Sequence, residues 1–182
     1  LLYAGLTQSR ALDIRPDLEP IMAHLADDTT AMAANYEFVY PAQLAEIVAA
    51  LSPYNLKVIV LKGYALGAFA YRQPGLRAYG DFDLLVAPDD LRAARDVLLS
   101  LGYAFDESQY PQDWFEREHH HLAPLIRPAS LAVELHHRLT KTAHVSLNNA
   151  ELWRHAQPLP VMEQVAYALA LEHQLIHICM HV

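Results

Sequence analysis

The sequence predicts an α/β (α+β) domain, a mixed sheet flanked by helices with helical segments at its N- and C-terminal ends, and three observations carry that prediction. Residues 55–61, Asn-Leu-Lys-Val-Ile-Val-Leu, form a short β-branched apolar run of the kind a buried strand shows. The stretches 81–86 and 131–137 alternate in polarity with the period of a strand. Among these runs, Pro41 to Leu51 and Pro88 to Leu101 carry apolar residues at helical spacing.

In chain order, Leu18 to Ala34 reads as an amphipathic helix, and Pro41 to Leu51 as a second whose inner face is Leu44, Ile47, Val48 and Leu51. Ser52-Pro53 and Gly63 bound the first strand, and Tyr64 to Tyr71 reads as a helix starting just after the glycine. In Asp81-Phe82-Asp83-Leu84-Leu85-Val86, alternation sends Phe82, Leu84 and Val86 into a core while Asp81 and Asp83 project together on the other side. Pro88-Asp89-Asp90 opens a helix bearing Leu91, Ala94, Val97, Leu98 and Leu101, which Gly102 closes. Tyr103 to Phe105 is a short strand. The polar and aromatic segment Asp106 to Glu118, with Tyr110, Trp114 and Phe115, is either a loop over a site or a tucked connection.

Further on, His120 to Ile126 and Leu131 to His137 flank the turn signal Arg127-Pro128-Ala129-Ser130, which reads as a β-hairpin. Asn149 to His155 and Val161 to Val182 read as helices separated by Gln157-Pro158-Leu159-Pro160. This divides the chain into residues 1–142, an α/β unit, and 143–182, the start of a C-terminal helical region. A first residue other than methionine and an end inside an apparent helix are expected of a piece of a longer protein.

Asp81 and Asp83 on one strand face repel one another, so both can ionise only with a cation between them. Hard oxygen donors favour Mg²⁺, with Mn²⁺ as a relative, and Mg²⁺ commonly arrives with substrate phosphates. Upstream, Gly63 lets the backbone approach a ligand closely, and a helix starting there aims free amides at an anion. Lys62, Arg72 and Arg77 add cations near the same end of the sheet. A third carboxylate comes from the hairpin, where Val133 and Leu135 share one face and Glu134 and His136 the other. The plainer alternatives are solvated acids at a strand end, a solvent-facing glutamate and ordinary surface lysine and arginine.

Lys62-Gly63, Tyr71, Arg77 and Asp81 to Val86, followed by a helix ending in Leu101-Gly102-Tyr103, resemble the uncharacterised nucleotidyltransferase family of the DNA polymerase beta superfamily, over roughly residues 36–140. The resemblance implies a nucleotidyltransferase-like sheet in which two acids on one strand and a third on a neighbour hold metal ions that position a nucleoside triphosphate for attack by an acceptor hydroxyl. It places the third acid in an acid-Leu-His pattern, matched here by Glu134-Leu135-His136. The superfamily's turn is glycine-serine nearer the acids, whereas this chain has Gly63-Tyr64 and seventeen residues between Gly63 and Asp81.

The expected site therefore uses Asp81, Asp83 and Glu134 as catalytic metal ligands, with Lys62, Gly63, Arg77 and His136 against the substrate. Transfer of a nucleoside monophosphate to a hydroxyl of a small molecule or protein is the activity expected, with a non-catalytic nucleotide- or partner-binding module and a metal-dependent phosphohydrolase as alternatives. Asp83→Ala is expected to stop turnover and leave the fold intact, because it thins a crowd of anions. His119 and His121 share a strand face near His136, which suggests a histidine-lined wall beside the acids. His173, His177 and His181 recur every four residues along a helix, but without the intervening acid of a zinc-protease motif they read as packed side chains.

Composition narrows the partners. A formal charge of −8 on 182 residues argues against a general nucleic-acid binder, since phosphate backbones are held by lysine and arginine. With 53% hydrophobic and 19% charged residues the chain is ordinary for a globular domain. One cysteine, Cys179, precludes an intrachain disulfide, and with no apolar run of membrane-spanning length or signal peptide a cytoplasmic protein is expected.

Overall fold

The computed structural model describes residues 33–71, 77–108, 111–140 and 148–180. The expected helix over Leu18 to Ala34 lies almost wholly outside these residues, as do Arg72 and His181. A π-helical turn, Asn35–Val39, runs into α1 (Tyr40–Leu51). There the spacing of Leu44, Ile47, Val48 and Leu51 puts four apolar side chains on one stripe, and all four are buried. A 3₁₀ turn, Ser52–Tyr54, is closed by Asn55 in the left-handed region at φ 55° and leads to β1 (Ile59–Val60).

Next come α2 (Lys62–Ala70), β2 (Asp81–Leu85) and α3 (Leu91–Ser100), which buries Ala94, Val97 and Leu98 and ends before Gly102 at φ 87°. Helix α2 starts two residues earlier than the apolar pattern suggests, so Gly63 lies inside its first turn. β3 (Ala104–Phe105), α4 (Gln112–Glu118), β4 (Leu125–Ile126) and β5 (Ala132–His136) follow. Phe115 of α4 is buried, so the segment expected as a loop or a tuck is tucked, through a short helix.

Beyond α5 (Asn149–His155) the helical reading of residues 161–182 is corrected. Gln157–Val161 is strand β6, Gln164–Ala168 is strand β7, and only Leu171–Met180, α6, is helical. Met162 in the left-handed region at φ 51° makes the tight turn between the two strands, whose register pairs Val161 with Gln164. Pro158 and Pro160 are tolerated because β6 is the edge of the sheet, where a missing N–H need not face a neighbour.

The described strands form one seven-stranded mixed sheet in the order β3-β4-β5-β2-β1-β7-β6. At its centre β2 runs parallel to β5 and antiparallel to β1, which runs parallel to β7. Alternation along the central strands sorts the two faces. Val58, Val60, Phe82, Leu84, Val133 and Leu135 join Leu44, Ile47, Leu51, Ala94 and Leu98 from α1 and α3 in the main core. Ile59, Leu61 and Leu85 look the other way, into a smaller cluster with Leu139, Leu152 and Leu169. That second face also receives Asp83, Glu134 and His136, the intervening residues of β2 and β5. Among the described residues no helix is long and apolar enough to cross a membrane.

Candidate active site

The parallel pairing of β2 and β5 sets Asp83 directly opposite Glu134, with Asp81 opposite Ala132 and Leu85 opposite His136. Two carboxylates from distant stretches of chain thus meet across a ladder whose other face is anchored in the main core. Ligating atoms of Asp83, Glu134 and His136 lie within 4.8 Å of one another, a set able to hold a metal ion. Asp81, half-buried at the start of β2, stands outside that tight set.

Asp83 is only 3% exposed and carries two cationic partners. Its Oδ1 accepts from Lys62 Nζ at 2.7 Å and pairs with His136 Nε2 at 2.9 Å. His136 Nε2 also lies 3.5 Å from Glu134 Oε2, and His121 Nε2 lies 3.7 Å from that oxygen. Burial works to raise the pKa of Asp83, but hydrogen bonding and charge from His136, joined by Lys62, hold it well below the usual carboxylate range. For His136 burial pulls down, and the hydrogen bonds of Asp83 and Glu134 overcome it, so the imidazole is raised, which favours its charged form beside two anions. Glu134 is lowered: burial opposes ionisation, but His136 and His121 outweigh it. Asp81 alone is raised, by burial and then by the charges of Asp83 and Glu134, which makes it the most basic of the three acids.

Lys62 sits in the left-handed region at φ 45°, a conformation that costs a non-glycine residue about 1–2 kcal/mol. This backbone turn, at the first residue of α2, accompanies the reach of its ammonium to Asp83. Gly63 has a steric reason of its own. A Cβ there would fall 2.4 Å from Cβ and 2.8 Å from Cγ of Tyr79, so the glycine is the slot into which Tyr79 packs. Tyr79 is held in turn by Tyr36, whose hydroxyl donates to the Tyr79 carbonyl at 2.9 Å and accepts from its amide at 3.2 Å. Gly63→Ala is therefore expected to cost about 1–3 kcal/mol by overpacking. Gly67→Ala, in the same helix with nothing within 4 Å of the added carbon, is expected to stabilise by roughly 0.5–1 kcal/mol; thermal melts of the two variants check the contrast.

Of the expected site residues, the structure brings Asp83, Glu134, His136 and Lys62 into one cluster and leaves Asp81 at its margin. Arg77 is exposed. Sequence reasoning set Lys62 against a phosphate, and in the structure it neutralises Asp83. It also missed the pairing of Tyr36 with Tyr79, which lie 43 residues apart and both precede the acidic motif. The strand expected over His120 to Ile126 is only Leu125–Ile126, so His119 and His121 do not share a strand face. Between α4 and β4 the chain is irregular, and the rings of His119, His120 and His121 all converge, with centroids 4.3 to 5.2 Å apart. His121 bridges to His136 across the break in the β4–β5 hairpin. Along α6, His177 is buried, and neither it nor His173 belongs to a group of three or more ligating side chains among the described residues.

Burial lowers the His120 imidazole to about 2 and also lowers His121 and His137. Below the unfolded value of ~6.5 the unfolded chain takes up these protons and the native state does not, so each group subtracts stability as pH falls. His136, raised, has the opposite sign: its contribution is full below ~6.5 and is lost as pH rises through its folded value. Asp83, depressed, contributes fully above ~4 and so does not change in this window. The lowered histidines, His120 by far the most, act against the raised His136 and Asp81, and the melting midpoint of metal-free protein is expected to fall between about pH 7.5 and 5. A flat profile would contradict the buried neutral histidines.

A family described as "Uncharacterised nucleotidyltransferase" matches the chain over residues 1–182. A search of curated proteins finds no match. Among solved structures, the chain is similar to the lincosamide antibiotic adenylyltransferase LnuA in its lincomycin-bound crystal structure, with a TM-score of 0.52 and 12% identity over 74% of this chain and 83% of that one. It is also similar to the antibiotic-resistance factor ANT(2'')-Ia in solution, with a TM-score of 0.49 and 13% identity over 74% and 67% of the two chains.

Proposed function

This chain belongs to the uncharacterised nucleotidyltransferase family, and we propose that it moves a nucleoside monophosphate from a triphosphate such as ATP to a hydroxyl of a small-molecule acceptor, with a divalent ion held by its acidic cluster. The observation that carries the reading is the register of Asp83 against Glu134 on the second face of the sheet, with His136 completing a ligating set. The carboxylates of Asp83 and Glu134 suit Mg²⁺, and His136, once its proton leaves as the ion enters, would add a nitrogen that Mn²⁺ accepts more readily. The local charges leave room for such an ion: Asp81, Asp83 and Glu134 supply three negative charges against the two of Lys62 and His136.

When bound, the ion would supply charge neutralisation at the transferring phosphate and a lowered pKa at the attacking hydroxyl. Asp83 and Glu134 would hold it, with Asp81 at the margin. Lys62, released from Asp83, would turn its ammonium to the triphosphate oxygens, and the first turn of α2 would present its amides there. Arg77, exposed on the approach to β2, would meet the outer phosphates. The acceptor oxygen attacks the α-phosphorus and forms the new P–O bond as the bond to pyrophosphate breaks. Asp81, whose raised pKa makes it the better base, or Glu134 takes the hydroxyl proton. LnuA, which shares the fold, is an adenylyltransferase of a small-molecule antibiotic, and this supports an acceptor of that size.

Titration of ATP with and without Mg²⁺, followed by transfer of α-labelled nucleotide to a panel of hydroxylated small molecules, tests the reading. Mg²⁺-dependent binding that is weakened in Glu134→Gln, together with labelled product and pyrophosphate, is expected. Mg²⁺-independent binding with no labelled product would instead favour a binding module whose Lys62–Asp83 ion pair stays closed. Phosphate release without any acceptor would favour a phosphohydrolase.

A further inference from the structure

We infer that His119, His120 and His121 form a second metal site, for a borderline divalent transition ion of the Zn²⁺ class, beside the acidic cluster and distinct from it. Three consecutive residues of a strand would point to alternate faces. Here the irregular path between α4 and β4 turns all three rings inward, and one nitrogen from each lies within 4.8 Å of the others.

The scaffold is already held. The His119 amide donates to the Phe115 carbonyl at 2.9 Å, the His120 carbonyl accepts from the amides of His137 at 3.0 Å and Arg138 at 3.3 Å, and the Leu122 amide donates to Leu135 at 2.9 Å. His121 shows the arrangement metal-bound histidines use. Its Nδ1 lies 2.7 Å from the Leu122 carbonyl, which can only accept, so Nδ1 carries the proton and Nε2 keeps its lone pair. That Nε2 faces a Glu134 oxygen at 3.7 Å. Two lone-pair donors turned toward each other without a proton between them are brought into balance by a cation. His120 adds an independent sign: it is 8% exposed, and its Nδ1 is buried with no hydrogen-bond partner. A ring nitrogen left unmatched inside a protein is costly in either tautomer, and a metal ion on a deprotonated Nδ1 satisfies it.

The donor chemistry selects the ion. Imidazole nitrogens suit Zn²⁺ and its neighbours in the transition series, whereas Mg²⁺ requires oxygen. Glu134 stands at the border of the two sites, able to face either, so a transition ion on the histidines and a hard ion on Asp83 would share one carboxylate.

The test is calorimetric titration of chelator-stripped full chain with Zn²⁺ in the presence of excess Mg²⁺. One equivalent is expected to bind, weakened at least about tenfold in His119→Ala and in His120→Ala. Asp83→Asn, which disables the acidic cluster, is expected to leave Zn²⁺ binding in place, so failure of the transfer reading and failure of this site are separable. His119 is half-buried, so His119→Ala decides the matter if the His120 variant does not fold, with a thermal melt of the metal-free variant as the control. No Zn²⁺ binding, binding indifferent to both histidine substitutions, or binding lost in Asp83→Asn would overturn the inference.

Discussion

Asp83→Ala is expected to reduce nucleotidyl transfer by about three orders of magnitude, the scale on which single charge-holding groups act in phosphoryl transfer. Asp83 takes the two shortest charged contacts of the cluster, from Lys62 and His136, and faces Glu134 across the ladder. Its removal thins a crowd of anions but also takes away two buried pairings, so the variant folds with reduced stability. Asp83 is the counter-charge of a fully buried imidazole and of a lysine held in a left-handed turn. Without it Lys62 can swing to water and His136 can shed its proton, which limits the loss to about 1–3 kcal/mol. Asp83→Asn keeps an oxygen for both partners and should lose less stability with the same loss of activity. A labelled-nucleotide assay run beside thermal melts separates the two effects, and an Asp83→Asn protein that still transfers nucleotide would remove Asp83 from its assigned role.

The largest expected loss of stability comes from Phe82→Ala. Phe82 lies between the two aspartates in sequence and on the opposite face in space, 1% exposed, with its ring 5.8 Å from that of Tyr79 and 6.3 Å from that of Tyr64. Truncating a phenylalanine so enclosed costs about 3–5 kcal/mol, the lost transfer energy plus the cavity left behind. For a chain of this size that corresponds to a fall in melting temperature of roughly 10 °C or more. Function should suffer too, because Phe82 pairs with Val133 in the ladder and its packing fixes the direction in which Asp83 leaves the strand. Phe82→Leu retains most of the apolar volume and should cost less. A shift below about 1 kcal/mol in the alanine variant would mean that this face of β2 is not the core wall described here.

Much of the architecture was legible because it depends on periodicity. The stripe Leu44, Ile47, Val48, Leu51 and the alternation Phe82, Asp83, Leu84 each specify which side faces inward, and burial follows from that alone. The hairpin of β6 and β7 was illegible for the same reason. Pro158 and Pro160 signal a linker, and the short strands they border are acceptable only because β6 has no outer neighbour, a fact about sheet order rather than local sequence. Helix α4 was similarly obscured by its short length and its polar composition.

Local patterning is enough to pick out the residues able to carry the chemistry: two acids on one face of a strand, a third in Glu134-Leu135-His136, and a lysine-glycine pair after the first strand. How they meet is a property of the fold. Register between β2 and β5 is a long-range choice that puts Asp83, and not Asp81, opposite Glu134, and it turns Lys62 and His136 onto that same carboxylate. A side chain's charge partners depend on distances between segments far apart in the chain, and local sequence patterns contain no measure of those distances.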